Sequence, residues 1–315
     1  MVRTPMHPPR ISSDKPQPFP PPVMFLPSPS HGYLTALDAC SVEAAVMPDG
    51  QAGVGSERGL VGGRVGRQVN VYLWGSSVGP RDVWTQWLAR FPGAHVMLLD
   101  LPMTVVRTPL KDLAKFSGWT VRLSEWKVWT GARVALLWAA GGMVLPLGVV
   151  ATRPVWVEAL GPRSGMLVAD PSFRVDPAVL STPAHHPLLT TIAQYLVNSS
   201  SQSSGSDDGD QITSQGELLT RAVKKACRVK NLQRLPVSGC SDFTLLPAYA
   251  ILDMDLNQTP QSARVPASTM FLRYGSEPYH LHDPARIQQL FQSYHLANYC
   301  PQTAKEVDLM YPQHL

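Results

Sequence analysis

Charge is what this chain has little of. Lys, Arg, Asp and Glu make up 16% of 315 residues and leave a net charge of +4. The basic residues are scattered apart from Arg221, Lys224, Lys225, Arg228 and Lys230 on one predicted helix. That grouping reads as a solvated helix face, and the balance excludes a nucleic-acid footprint. Cysteine is equally scarce: Cys40, Cys227, Cys240 and Cys300 are the whole set, with no C-x-x-C spacing of the kind zinc sites use. No Ser-His-Asp or activated-cysteine arrangement stands out. Met1 to Pro29 is proline-rich and charged, with an apolar stretch only at Val23 to Leu26, and shows no convincing signal sequence. One uncharged run, Val134 to Thr152, has the length to cross a bilayer, but Gly141-Gly142 and Pro146 interrupt it, so it reads as a buried element. Gly53, Gly55 and Gly59 follow no strand and fit neither common phosphate fingerprint; a flexible insertion is expected over 49–67.

With 44% hydrophobic residues the chain can bury the core of one large domain. Alternation predicts strands at Val69 to Trp74, Ala94 to Leu99, Gly165 to Ala169 and Val155 to Leu160. A buried run predicts another at Met143 to Val150. Helical spacing predicts helices at Thr35 to Val46, Val83 to Arg90, Leu110 to Phe116, Arg133 to Ala140 and His186 to Val197. Ser214 and Glu217 are spaced as a capping box that starts one more. Strands alternating with helices imply an α/β domain with a mostly parallel central sheet covered on both faces. Residues 1–22 read as a disordered proline-rich tail, 23–311 as the domain and 199–210 as a polar low-complexity loop. Leu245 to Leu252 reads as a strand, and Asp253-Met254-Asp255 after it as a solvated turn.

The stretch RVALLWAAGGMVLPLG, Arg133 to Gly148, resembles the R-x-A-L-x-W-x-x-G-G-x-Y-L-D-x-D core of the α1,4-glycosyltransferase family. Other landmarks follow in order: CSVEAA from Cys40 to Ala45, Phe91-Pro92 before an LLDL strand, ELLTRAVKKAC from Glu217 to Cys227, Cys240, and NYCP from Asn298 to Pro301. The resemblance runs from about Met24 to the C-terminus. It implies a GT-A-like fold, a lumenal Golgi location and transfer of galactose or N-acetylgalactosamine from a UDP-sugar to a glycolipid. A family member normally carries an N-terminal membrane anchor, so the expectation is that the start of the chain is missing or that its route into the Golgi is lost.

In the family the D-x-D pair holds the metal, Mn2+, that neutralises the departing diphosphate. Here those positions are Pro146 and Gly148, which offer no ligand, and a family aspartate three residues before Arg133 aligns with Thr130. No retained cofactor is therefore expected, and transfer is expected to be weakened or lost. The alternatives are a non-catalytic Golgi partner of an active paralogue and, ranked last, a metal-independent variant. The resemblance implies Arg133, Gly141, Gly142, Gly216 and His280 as donor-binding candidates. Arg133 reads equally well as a helix-start arginine paired with a nearby acid. His280, His282 and Asp283 could form a rebuilt metal site, or be surface histidines.

Trp119, Trp126, Trp129 and Trp138 could stack on a sugar, but core or rim packing is the default for such spacing. All four cysteines fall on landmarks, which suggests disulfides. Cys227 with Cys240 is the economical local pair and Cys40 with Cys300 would follow, though three connectivities are open. Asn198 and Asn257 head glycosylation sequons.

Overall fold

In a computed structural model, residues 22–27, 33–46, 69–74, 82–115, 120, 123–152, 165–201, 212–235, 240, 243–254, 265–274, 287–288, 291 and 296–310 are described. The seven strands of the main sheet are β1 (Val23–Phe25), β2 (Val69–Trp74), β3 (Ala94–Leu99), β4 (Gly142–Leu145), β6 (Gly165–Ala169), β7 (Val175–Thr182) and β8 (Phe243–Leu246). They lie in the order β3-β2-β1-β4-β7-β6-β8. β7 alone runs against its neighbours, so the sheet is mostly parallel, as the alternating pattern implied. β5 (Val149–Ala151), β9 (Ile251–Met254) and β10 (Phe271–Tyr274) make a second sheet in the order β5-β10-β9.

Helices cover both faces. α1 (Ala36–Val46) and α2 (Val83–Arg90) lie on one; α3 (Leu101–Val105), α4 (Lys111–Ala114), α5 (Glu125–Ala140), α6 (Pro187–Ser201) and α7 (Gln215–Cys227) on the other. α8 (Pro301–Met310) packs beside α1. The strands sort their side chains by the period of two. Met143 and Leu145 of β4 enter the core on the α1 side, while Val144 between them enters the α5 side. Among the described residues no helix is long and apolar enough to cross a membrane.

Three expected element bounds need correction. Met143 to Val150 is not one strand: β4 ends at Leu145, residues 147 and 148 turn, and β5 starts the second sheet. Gly148, at φ +84°, allows that turn. Leu245 to Leu252 likewise divides, because a short 3-10 helix at Ala248–Ala250 separates β8 in the main sheet from β9 in the second. An apolar run alone does not reveal where a buried chain changes sheets. The polar loop also starts later than expected, since residues 199–201 still belong to α6. The expected strand at Val155 to Leu160 and the insertion at 49–67 lie outside the described residues.

Local chemistry explains the helix ends. Asp38 accepts from the backbone N–H of Thr35 at 2.7 Å while the Thr35 hydroxyl accepts from Asp38 N–H at 3.3 Å, a reciprocal start for α1. Ser214 accepts from Glu217 N–H at 3.3 Å, but the Glu217 carboxylate reaches back to Thr213 N–H at 2.9 Å, one residue beyond the expected partner. α5 stops at Gly141 (φ +62°), and Gly142 (φ +97°) must lack a side chain because a Cβ there would lie 2.1 Å from the Pro22 carbonyl oxygen.

The four cysteines form Cys40–Cys300 and Cys227–Cys240, and no described cysteine is free. One turn beyond Cys40, buried Glu43 accepts from the N–H groups of Gln302 (2.8 Å) and Thr303 (2.7 Å) and from the Thr303 hydroxyl (2.7 Å). A carboxylate at the first turn of α8 meets both the orphan N–H groups and the positive end of the helix dipole. Burial still pushes the Glu43 carboxyl above its ordinary range, against the pull of those bonds.

Candidate functional site

The strand order counts down from β3 to β1 and then jumps to β4. Open α/β sheets bind ligands outside the carboxyl ends of the strands at such a reversal. Here that place is bounded by Leu26-Pro27 after β1 and by the turn Pro146-Leu147-Gly148 after β4. The two segments are joined, with Leu26 N–H donating to Leu145 O at 3.1 Å, and Tyr274 N–H ties Gly148 O to β10 at 3.0 Å. Indoles close the rim: Trp74 Nε1 donates to Pro27 O at 2.9 Å and Trp129 Nε1 to Leu26 O at 3.3 Å.

Arg133 sits under this edge, fully buried. Its Nη2 donates to Val144 O at 2.9 Å and its Nη1 to Pro177 O, so it staples β4 to β7, while its guanidinium lies 4.8 Å from the Trp129 ring centroid. Nε has no partner among the described residues. Burial pulls its pKa down to about 9, with Asp176 opposing. Among the described residues Arg133 makes no helix-start ion pair: it lies in the middle of α5, and Thr130, where the resembled family has an acid, donates its hydroxyl to Trp126 O of its own helix at 2.6 Å.

Above Arg133 runs a ladder of charge. Asp176, at the β7 start, accepts from Arg273 Nη1 through both oxygens at 2.8 Å. Arg273 turns its other edge, Nε and Nη2, to the two oxygens of Asp253 on β9, the second bond at 2.9 Å. Asp253 is thus part of a strand and an ion pair rather than a free turn; Asp255 lies outside the described residues. The two acids pull the Arg273 pKa up. Removing Asp176 would leave buried Arg133 and half-buried Arg273 without a carboxylate held in the core. Asp176→Ala is expected to cost about 3 kcal/mol in urea unfolding, and a change below about 1 kcal/mol would mean that the ladder is not structural.

The structure brings together some of the candidates from sequence. Gly216, in the first turn of α7, approaches the same edge: a Cβ there would lie 3.1 Å from Val175 O, next to Asp176. Gly141 and Gly142 stand at the amino end of β4, away from Pro146, where they serve the helix stop and the contact with Pro22. His280, His282, Asp283 and Asn257 lie outside the described residues, as does Trp119. Asn198 is exposed near the end of α6. Trp126 and Trp138 pack half-buried against the α5-side core, Trp138 edge-on to His185 at 4.8 Å.

Sequence reading missed Asp176 and Arg273. The only signal was a charge inside each of two apolar strands, which is uncommon unless the charge is paired.

A divalent metal does not fit the residues at the turn. Pro146, Leu147 and Gly148 carry no side-chain donor, and Asp176 and Asp253 already spend their oxygens on Arg273. No group of three His, Cys, Asp or Glu among the described residues could hold a metal.

No protein-family model matches the chain. Similar solved structures include the PaToxG glycosyltransferase, with 8% identity, 66% of this chain and 68% of that one covered, and a TM-score of 0.42. Another is the apo bifunctional glycosyltransferase WbbM, at 9% identity, 91% and 50% coverage and a TM-score of 0.45. A transferase mutant follows at 14% identity, 66% and 84% coverage and a TM-score of 0.36. This chain spans half the length of WbbM. Likenesses this distant say nothing by themselves of activity.

Proposed function

We propose that this chain is a glycosyltransferase-type protein of α1,4-glycosyltransferase descent whose metal-assisted transfer is weakened or lost. The reading takes the GT-A-like scaffold, the UDP-galactose or UDP-N-acetylgalactosamine donor, the glycolipid acceptor and the Golgi location from the motif resemblance. One observation carries it: the turn Pro146-Leu147-Gly148 stands at the strand-order reversal, where a nucleotide-sugar would sit, and offers no carboxylate; by the motif resemblance Pro146 and Gly148 take the positions of the D-x-D pair. Losing about 4 kcal/mol of charge stabilisation slows a reaction roughly a thousandfold. A second reading, a non-catalytic partner of an active paralogue, is supported by the intact scaffold: both disulfides and the Glu43 tie persist around an altered site.

This chain's own groups set what the site can do. Trp74 and Trp129 fix the rim, Arg133 stiffens the floor, and Arg273, paired with Val149 just after the turn, is a cation that is not fully buried. Calorimetry with UDP-galactose is expected to give the same dissociation constant with and without manganese. A metal-dependent constant that vanishes in His280→Ala would overturn this reading in favour of the rebuilt histidine site.

A further inference from the structure

We infer that the Nε–Nη2 edge of Arg273 is an oxyanion receptor, built to take a diphosphate, and that the protein's own Asp253 is the internal competitor for it; the identity of the diphosphate as part of a nucleotide-sugar rests on the function proposed above. The argument starts from how unevenly the two acids hold this arginine. Asp176 is 8% exposed and engages Nη1 through both oxygens, so it is a fixed counter-charge. Asp253 is 69% exposed and engages the opposite edge. A bond to so exposed a carboxylate is open to competition from water and from other anions.

The Nε–Nη2 edge presents two parallel N–H groups, which match a carboxylate and a phosphate equally well. Asp253 therefore marks, with two oxygens, where two phosphate oxygens would go.

Position supports the same assignment. Arg273 pairs with Val149, the first residue after the turn at the strand-order reversal, and its neighbour Tyr274 is bonded to Gly148. The guanidinium thus spans from the second sheet back to β7 beside the place where a ligand is expected. Charge points the same way. With Asp253 displaced, Arg133, Arg273 and Asp176 leave one net positive charge under the turn, enough to attract an anion without any metal.

The test is calorimetry with inorganic pyrophosphate and with UDP, in metal-free buffer, on the wild-type protein, Asp253→Asn and Arg273→Gln. Asp253→Asn changes an exposed side chain and is expected to fold normally. It should tighten pyrophosphate binding by about fivefold, because the internal competitor is gone. Arg273→Gln should weaken it by at least about twentyfold, and Arg273→Lys, which keeps the charge without the fork, should recover only part of that.

A purely structural ladder gives no tightening for Asp253→Asn, either a loss or no change, and that result overturns the inference even if Arg273→Gln proves too unstable to measure. UDP binding that ignores both substitutions removes the receptor and leaves the functional reading standing. Pyrophosphate that follows the expected pattern, with UDP binding no tighter than pyrophosphate, keeps the receptor and sinks the nucleotide-sugar reading. No binding of either anion to any variant ends the inference.

Discussion

Replacing Cys40 and Cys300 together by serine is expected to lower the unfolding free energy by roughly 5 kcal/mol in the chain-entropy account, because the bond closes a loop across 260 positions. Much of a domain's stability is of this size. The same treatment of Cys227–Cys240, with a separation of 13, gives about 3 kcal/mol. The larger bond does not act alone. Glu43 ties the first turn of α8 to α1 through three hydrogen bonds, so Glu43→Ala should itself cost about 3 kcal/mol by leaving buried donors unpaired. The two ties share a helix and are expected to couple, the combined variant losing more cooperativity than either alone.

Glu43 has a further signature. Its carboxyl is raised from 4.5, so the folded chain holds the proton more tightly than the unfolded one, and stability falls as pH climbs through the interval above that value. Glu43→Gln should flatten this slope. Urea unfolding without reductant decides the matter: a Cys40 and Cys300 double variant within about 1 kcal/mol of wild type would show that the link constrains little.

How much of this could be read beforehand differs by kind of interaction. Local chemistry was legible. The Gly141-Gly142 stop, the start of α1 near Thr35, the capping pair at Ser214 and Glu217 and the Cys227–Cys240 pairing all depend on residues close in sequence. The α/β alternation was legible for the same reason, since each strand or helix carries its own period. Long-range polar contacts were not. Asp176 and Arg273 stand 97 positions apart, and nothing in either strand names the partner. Arg133 was recognised as special from its motif, but its burial beneath the sheet edge could not be seen, because nearly all sides of α5 from Val128 to Leu137 are buried and periodicity assigns no outer face. The break between β4 and β5 was half visible: Pro146 and Gly148 are turn residues within an apolar run that otherwise reads as one strand.

That turn is where a metal holder can be introduced. Pro146→Asp with Gly148→Asp is expected to create manganese-dependent UDP binding, at least about tenfold tighter with the metal than without it. The backbone sets the difficulty. Gly148 has φ +84°, and an ordinary residue there costs about 1–2 kcal/mol, although aspartate tolerates positive φ better than most. Space is not the obstacle, since a Cβ at position 148 would meet only the Tyr274 carbonyl oxygen at 3.8 Å, an ordinary contact. At position 146 the change frees φ and adds an N–H, and the bond from Tyr274 N–H to Gly148 O must survive for the new carboxylates to face the same side. Turnover is not expected to return with binding. Thr130 still withholds the acid that the resembled family places one turn before Arg133, so the guanidinium remains committed to the carbonyls of Val144 and Pro177. Calorimetry and a thermal melt on the double variant separate the outcomes: a folded protein that binds neither manganese nor UDP would mean that two carboxylates at this turn are not enough to make a metal-assisted nucleotide site.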